Sequence, residues 1–175
     1  MIRGFLADAR QIVIDFIMHM PFAFIRNFCG RLIFKKMAKG AQLSRHIHII
    51  CPQRISLGEN VFINRNVVLD GRQGLEIGDN TDVGEFSSIW SLQHNPDENN
   101  HKSKGGVTCI EDHVWIAPHS IILPGVKVSR GAVVATGSVV TKDVDPLCVV
   151  GGVPARYMKK RNNELHYQLK YKIYF

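Results

Sequence analysis

Two histidines, His94 at the root and His101 near the tip of one long polar stretch, are the side chains of this 175-residue sequence best suited to chemistry. The stretch runs Gln93-His94-Asn95-Pro96-Asp97-Glu98-Asn99-Asn100-His101-Lys102-Ser103-Lys104-Gly105-Gly106. A neutral imidazole, ordinarily titrating near ~6.5, can take up or give a proton near neutral pH. His94 follows an apolar run that ends near Ser91, so its backbone is expected to be held firmly. The competing reading is a structural loop histidine. His113 and His119 add a possible metal set, but they are six apart, at equivalent places of a repeat. The cysteines Cys29, Cys51, Cys109 and Cys148 form no C-x-x-C pair, which suggests neither a disulfide framework nor a zinc knuckle and fits a reducing cytosol.

The elements that must position His94 are written as a repeat of six. An aliphatic anchor followed by a small or polar residue recurs at Leu57, Ile63 and Leu69, then at Ile77, Val83 and Ile89. After a break it recurs from Ile110 through Ile116, Ile122, Val128 and Val134 to Val140. Two residues before each anchor stands another compact side chain, for example Val61, Thr81, Ser120 or Ala132. Six residues are too few for a helix-bearing repeat. They suit one flat face of a three-sided prism, in which three hexapeptides close a coil and coils pair in parallel. Twelve anchors give four coils. The small residue after each anchor is expected at a tight corner with left-handed backbone. Ile89 to Ile110 spans 21 residues where six are needed, so residues 91–107 are expected to leave the prism as a loop between the second and third of these coils.

Charge is uneven. Residues 1–46 hold eight Lys/Arg against two acids, residues 156–175 six against one, and the middle eight against twelve. Basic ends suit anionic lipid or phosphate groups, and no nucleic-acid motif is present. The apolar run Ile12–Ile25 is interrupted by Asp15, His19 and Pro21 before it reaches the ~18 clean residues of a membrane span. With Arg10 beside the run and no small-x-small site after it, it does not read as a cleaved signal. Residues 2–38 instead suit a basic amphipathic helix pair on a membrane surface, or one packed on the protein itself. The expected organisation is an N-terminal helical segment 1–45, a β-helix domain 46–153 and a C-terminal helix and tail 154–175.

Together with His94, the stretches Val114-Trp115-Ile116-Ala117, Ile122-Leu123-Pro124-Gly125-Val126, Gly137-Ser138-Val139-Val140-Thr141-Lys142-Asp143 and Gly152-Val153-Pro154-Ala155-Arg156 carry a resemblance. Over roughly residues 45–160 the chain resembles hexapeptide-repeat acetyltransferases of left-handed parallel β-helix fold, especially bacterial polysaccharide, maltose and galactoside O-acetyltransferases. The resemblance implies acetyl-coenzyme A as donor, a saccharide hydroxyl as acceptor, His94 as general base and a homotrimer with its active site between subunits. It implies cofactor contacts at Thr136, Thr141, Lys142, Arg156 and Lys159, with Trp115 along the cofactor channel or covering the prism. It implies acceptor contacts at Asn64 and Asp70, no metal and a cytoplasmic location, peripheral at the membrane if residues 1–38 bind it. Ala117, Pro118 and Ser129-Arg130 depart from the family pattern.

Three other readings stand beside this one. N-acetylation of an amino sugar or antibiotic would use the same residues. A γ-type carbonic anhydrase on the same fold would need three zinc-binding histidines, whose H-x4-H spacing is not met by His113 and His119. A non-catalytic β-helix scaffold would be indifferent to loss of His94.

Overall fold

The strand pattern of the computed structural model is a parallel three-faced β-solenoid. It describes residues 2–171, and for residues 2–7 the backbone alone; residues 172–175, the end of the aromatic-rich tail, lie outside the described residues. Face one stacks Lys36–Met37, Ile55–Leu57, Leu75–Ile77, Thr108–Ile110 and Lys127–Val128. Face two stacks Gln42–Leu43, Phe62–Ile63, Asp82–Val83, Trp115–Ile116, Val133–Val134 and Cys148–Gly151. Face three stacks His48–Ile50, Val68–Asp70, Ser88–Ile89, Ile121–Ile122 and Val139–Val140. Five coils are complete, and a sixth is begun by Val144, bridged to Val128, and by Cys148–Gly151.

The anchors are the core. Leu57, Ile63, Leu69, Ile77, Val83, Ile89 and their successors through Val140 are buried one above another. Their partners two residues earlier also point inward, and the polar ones are satisfied: Thr81 Oγ1 donates to the Glu111 carbonyl at 2.8 Å and Ser120 Oγ to that of Ala117 at 2.8 Å.

Two features differ from the sequence reading. The prism starts at Lys36 rather than at residue 46, because Met37, Leu43 and Ile49 form one more coil, and two extra residues around Cys51–Arg54 put it out of register with Leu57. The left-handed corners fall three residues after most anchors, not one. Asn60, Asn80, His113 and Gly131 form one such column and Asn66, Phe86, His119 and Gly137 another. The small residue after an anchor serves close approach instead: a Cβ on Gly78 would lie 2.3 Å from Asp112 Oδ1 and 2.7 Å from the Asp112 amide nitrogen.

Helices α1 (Ile2–His19) and α2 (Ala23–Ile33) pack on the first coil, α1 through Ile14 and Met18. Asn27 of α2 accepts the Leu43 amide at 2.8 Å and donates to Gln42 Oε1 at 2.8 Å, while Arg26 Nε donates to the Leu43 carbonyl at 3.0 Å. No described helix is long and apolar enough to cross a membrane.

The C-terminal segment holds no helix among its described residues, contrary to expectation. Arg156–Lys160 pairs antiparallel with Cys148–Gly151, covering the open edge that the last strand of face two would leave. The chain then returns along face two. Arg161 Nη1 donates to the Gly131 and His113 carbonyls at 3.0 Å, the Tyr167 ring meets that of His113 at 5.2 Å, and Tyr171 meets Phe62 at 4.7 Å.

Candidate active site

The insertion after Ile89 is a β-hairpin rather than an irregular loop. Leu92–His94 pairs antiparallel with Ser103–Gly105, so that His94 stands opposite Ser103. A hairpin carried on a five-coil stack gives His94 the firm root that general-base chemistry needs.

That root is fixed by Asp70, whose side chain is 0% exposed. Its Oδ1 accepts the Arg72 amide at 3.0 Å and Arg72 Nε at 2.9 Å; its Oδ2 accepts Arg72 Nη2 at 3.1 Å and the Ser91 and Leu92 amides at 3.0 and 3.1 Å. Burial alone would raise this carboxyl, but the hydrogen bonds from Arg72 and Ser91 and the guanidinium charge outweigh it and hold it below the ordinary range. Asp70 is therefore not free to touch an acceptor, as the resemblance had implied. Its oxygens are occupied in tying Arg72 to the start of the hairpin.

His94 is exposed, and its Nδ1 lies 2.8 Å from the His101 carbonyl oxygen. A carbonyl can only accept, so Nδ1 carries a proton, and in the neutral ring Nε2 is then the free acceptor. The His101 ring stacks on that of His94, 3.9 Å between centroids and 13° from parallel, which further fixes the imidazole. His94 opens on a cleft of about 360 Å³ lined by Arg72, Trp90, Leu92, Gln93, Ser103, Ile121, Leu123 and Pro124. An apolar wall with one base and one guanidinium is suited to holding a neutral reactant beside a proton acceptor.

The residues matched to the cofactor are only partly gathered. Lys142 and Arg156 share a second cleft, of about 320 Å³, with Asp143, Asp145, Ala155 and Tyr157. Neither cation forms an ion pair among the described residues, and both are exposed, so both are available to an anionic ligand. Thr141 is the coil-five equivalent of Leu123 and Trp90, at the edge of face three that carries the hairpin. Thr136 stands at the opposite edge of that face, and Lys159 pairs with Val149 on the exposed last strand. Trp115 does not join them. It lies on face two, in a groove with Asp82, Arg161, Tyr167 and Tyr171 where the returning tail crosses.

Asn64 lies outside the His94 cleft within one chain. Its amide donates to Asp82 Oδ1 and to the Val83 carbonyl, both at 2.9 Å. Asp82, half-buried, is pushed up to about 6 by burial, against the lowering effect of the Asn64 hydrogen bond. His113 and His119 occupy different corner columns, and no group of three His, Cys, Asp or Glu that could hold a metal ion occurs among the described residues. Sequence reasoning missed Arg72, Asp82 and the role of the His101 carbonyl. The first had a signal, an Asp-x-Arg at the coil end whose edge carries the insertions; the last, a main-chain contact, had none.

No protein-family model matches the chain. Among curated proteins it is similar to the galactoside O-acetyltransferase of Escherichia coli K12, 29% identical over 147 residues that make up 81% of this chain and 72% of that enzyme. It is also similar to the chloramphenicol acetyltransferase of Klebsiella aerogenes, 48% identical over 58 residues, but it spans only 28% of that relative. Among solved structures it superposes on a hexapeptide-repeat acetyltransferase of Vibrio cholerae, complexed with acetyl coenzyme A, with a TM-score of 0.81 and 28% identity over 89% of this chain and 87% of that one. With its six-residue ladder, its three stacked faces and these likenesses, the chain has the hexapeptide-repeat, left-handed β-helix fold and is similar to acetyltransferases built on it.

Proposed function

We propose that the protein transfers an acetyl group from acetyl-coenzyme A to a saccharide hydroxyl, with His94 as general base. The observation that carries this reading is the 2.8 Å contact of His94 Nδ1 with the His101 carbonyl, which in the neutral imidazole leaves Nε2 as the free acceptor of a residue lining the 360 Å³ cleft. Acetyl-coenzyme A supplies an activated thioester carbonyl and a thiol leaving group. Nε2 takes the hydroxyl proton as the oxygen forms its bond to that carbonyl, and the same proton passes to the departing sulfur. Lys142 and Arg156 would hold the donor's phosphates as charge-assisted donors, with Thr136, Thr141 and Lys159 as further contacts. The 10²–10⁴-fold that a placed base contributes sets the scale of the effect.

Asn64, just after the strand Phe62–Ile63 and outside the His94 cleft of its own chain, could contact an acceptor only in a neighbouring subunit's cleft, through its Oδ1. We therefore read the working form as a homotrimer with the site between subunits. The favoured acceptor is a cell-surface polysaccharide or its lipid-linked precursor, met at the cytoplasmic face of the membrane.

The test is thiol release from acetyl-coenzyme A by wild type and His94→Ala across sugars, amino sugars and chloramphenicol. Release that depends on a sugar hydroxyl and falls by roughly 10²–10⁴-fold in the variant supports the reading. Release with an amine alone would replace it by N-acetylation. Undiminished release by His94→Ala would remove the assigned base.

A further inference from the structure

Helix α2 is inside out. Its buried face consists of Ala23, Arg26, Asn27 and Gly30, while Phe24, Phe28 and Leu32 stand 71%, 60% and 69% exposed. Spacings of four residues place these three on one outward stripe. The arrangement is anchored from within: Asn27 and Arg26 bond the Gln42–Leu43 strand as described, and a Cβ on Gly30 would lie 2.7 Å from Leu43 Cδ1. The helix cannot roll its phenylalanines inward without abandoning those bonds.

We propose that this stripe is a docking surface for an anionic lipid bilayer, into whose interface Phe24, Phe28 and Leu32 insert. Charge selects the occupant. Arg31 lies on the same stripe and Lys35 and Lys36 follow at the helix's end, all exposed, while α2 contains no acid. On α1, Asp15 is already engaged by Gln11 at 3.0 Å and His48 at 3.2 Å. An amphipathic helix with aromatic and aliphatic groups on one side and cations at its border is the form that lies in a headgroup layer. A two-fold pair meeting through the stripe would set Arg31 and Lys35 against their own equivalents, with no carboxylate on α2 to answer them, while a heterologous trimer contact would show as a change of oligomer size in the stripe variants.

The inference stands apart from the reaction assigned above, so the test uses no acceptor. Full-length protein is sedimented with vesicles of phosphatidylglycerol mixed with phosphatidylcholine and with vesicles of phosphatidylcholine alone. Wild type is expected to partition onto the anionic vesicles and to be released as salt rises. Phe24→Ser with Phe28→Ser should weaken partitioning about tenfold or more, and Arg31→Glu with Lys35→Glu by at least roughly twentyfold at low salt. All four side chains are exposed, so melting temperature and coenzyme A binding should hold in both variants. Failure of wild type to bind the anionic vesicles overturns the proposal, as does undiminished binding by both variants. A loss of oligomer size in Phe24→Ser with Phe28→Ser, with vesicle binding unchanged, would assign the stripe to a second copy of the chain instead.

Discussion

Replacing Asp70 by Asn would test the architecture beneath His94 without touching His94 itself. Five donors converge on the two oxygens of Asp70: three from Arg72 and the main-chain amides of Ser91 and Leu92. An asparagine must turn its NH2 toward one set. If it takes the place of Oδ2, three donors lose their acceptor; if it takes that of Oδ1, two do. An orphaned buried donor costs about 1–3 kcal/mol and breaking a buried pair about 3–5 kcal/mol, so the loss should be roughly 3–5 kcal/mol, eased by the partial exposure of Arg72. Urea unfolding of wild type and Asp70→Asn measures it, and hydrogen exchange at Ser91 and Leu92 locates it. The pH dependence provides a second check. Because the folded carboxyl is held below its unfolded value, its contribution is present above the unfolded pKa near ~3.9 and is lost as pH falls through the folded pKa. Asp70→Asn should lack that acid-side loss. A variant within about 1 kcal/mol of wild type, with both amides still protected, would refute the view that this carboxylate anchors the hairpin.

Asp82 should behave in the opposite sense. Its folded pKa, pushed up to about 6, lies above its unfolded value, so its contribution is complete at low pH and is lost as pH rises from about 4 to about 6. Melting temperature followed across that window should fall in wild type and stay flatter in Asp82→Asn. Gly78→Ala places a methyl 2.3 Å from Asp112 Oδ1 and 2.7 Å from its amide nitrogen, so it should destabilise by about 1–3 kcal/mol in chemical unfolding. Lys142→Ala and Arg156→Ala should each weaken coenzyme A binding by roughly tenfold or more in calorimetry while leaving melting unchanged, since both side chains are exposed. Wild-type affinity in both variants would remove their cleft from the donor site.

The prism was legible because burial in it repeats: one aliphatic side chain in six must point inward, and the ladder from Leu57 to Val140 leaves that period in the sequence. The first coil was not, since Lys36-Met37-Ala38-Lys39 reads as a charged helix end and the step from Ile49 to Leu57 is off register. His94 was visible as a residue type at an insertion root. What tunes it was not, because the His101 carbonyl carries no side-chain signature and becomes a partner only once the strands pair. The tail was misread for a similar reason. Its strand exists to close an edge, and an edge is a property of the assembled face.

The stacked coils also act as a ruler. Trp90, Leu123 and Thr141 are equivalent positions on three successive coils, beside the His94 cleft at one end of the series and next to Lys142 at the other. Parallel strands sit ~4.8 Å apart, so two coils separate the ends of that series by about 10 Å along the axis, a spacing that no side-chain rotation can alter. The span available to the proposed donor, if it bridges the two clefts, is thus counted in whole turns of the chain. Duplicating one eighteen-residue turn between Ile110 and Val128 would keep the six-residue period and the buried ladders, yet would lengthen that span by a full ~4.8 Å step. Selectivity for the length of the molecule bridging the two clefts would then change in one jump, with no residue in either cleft replaced.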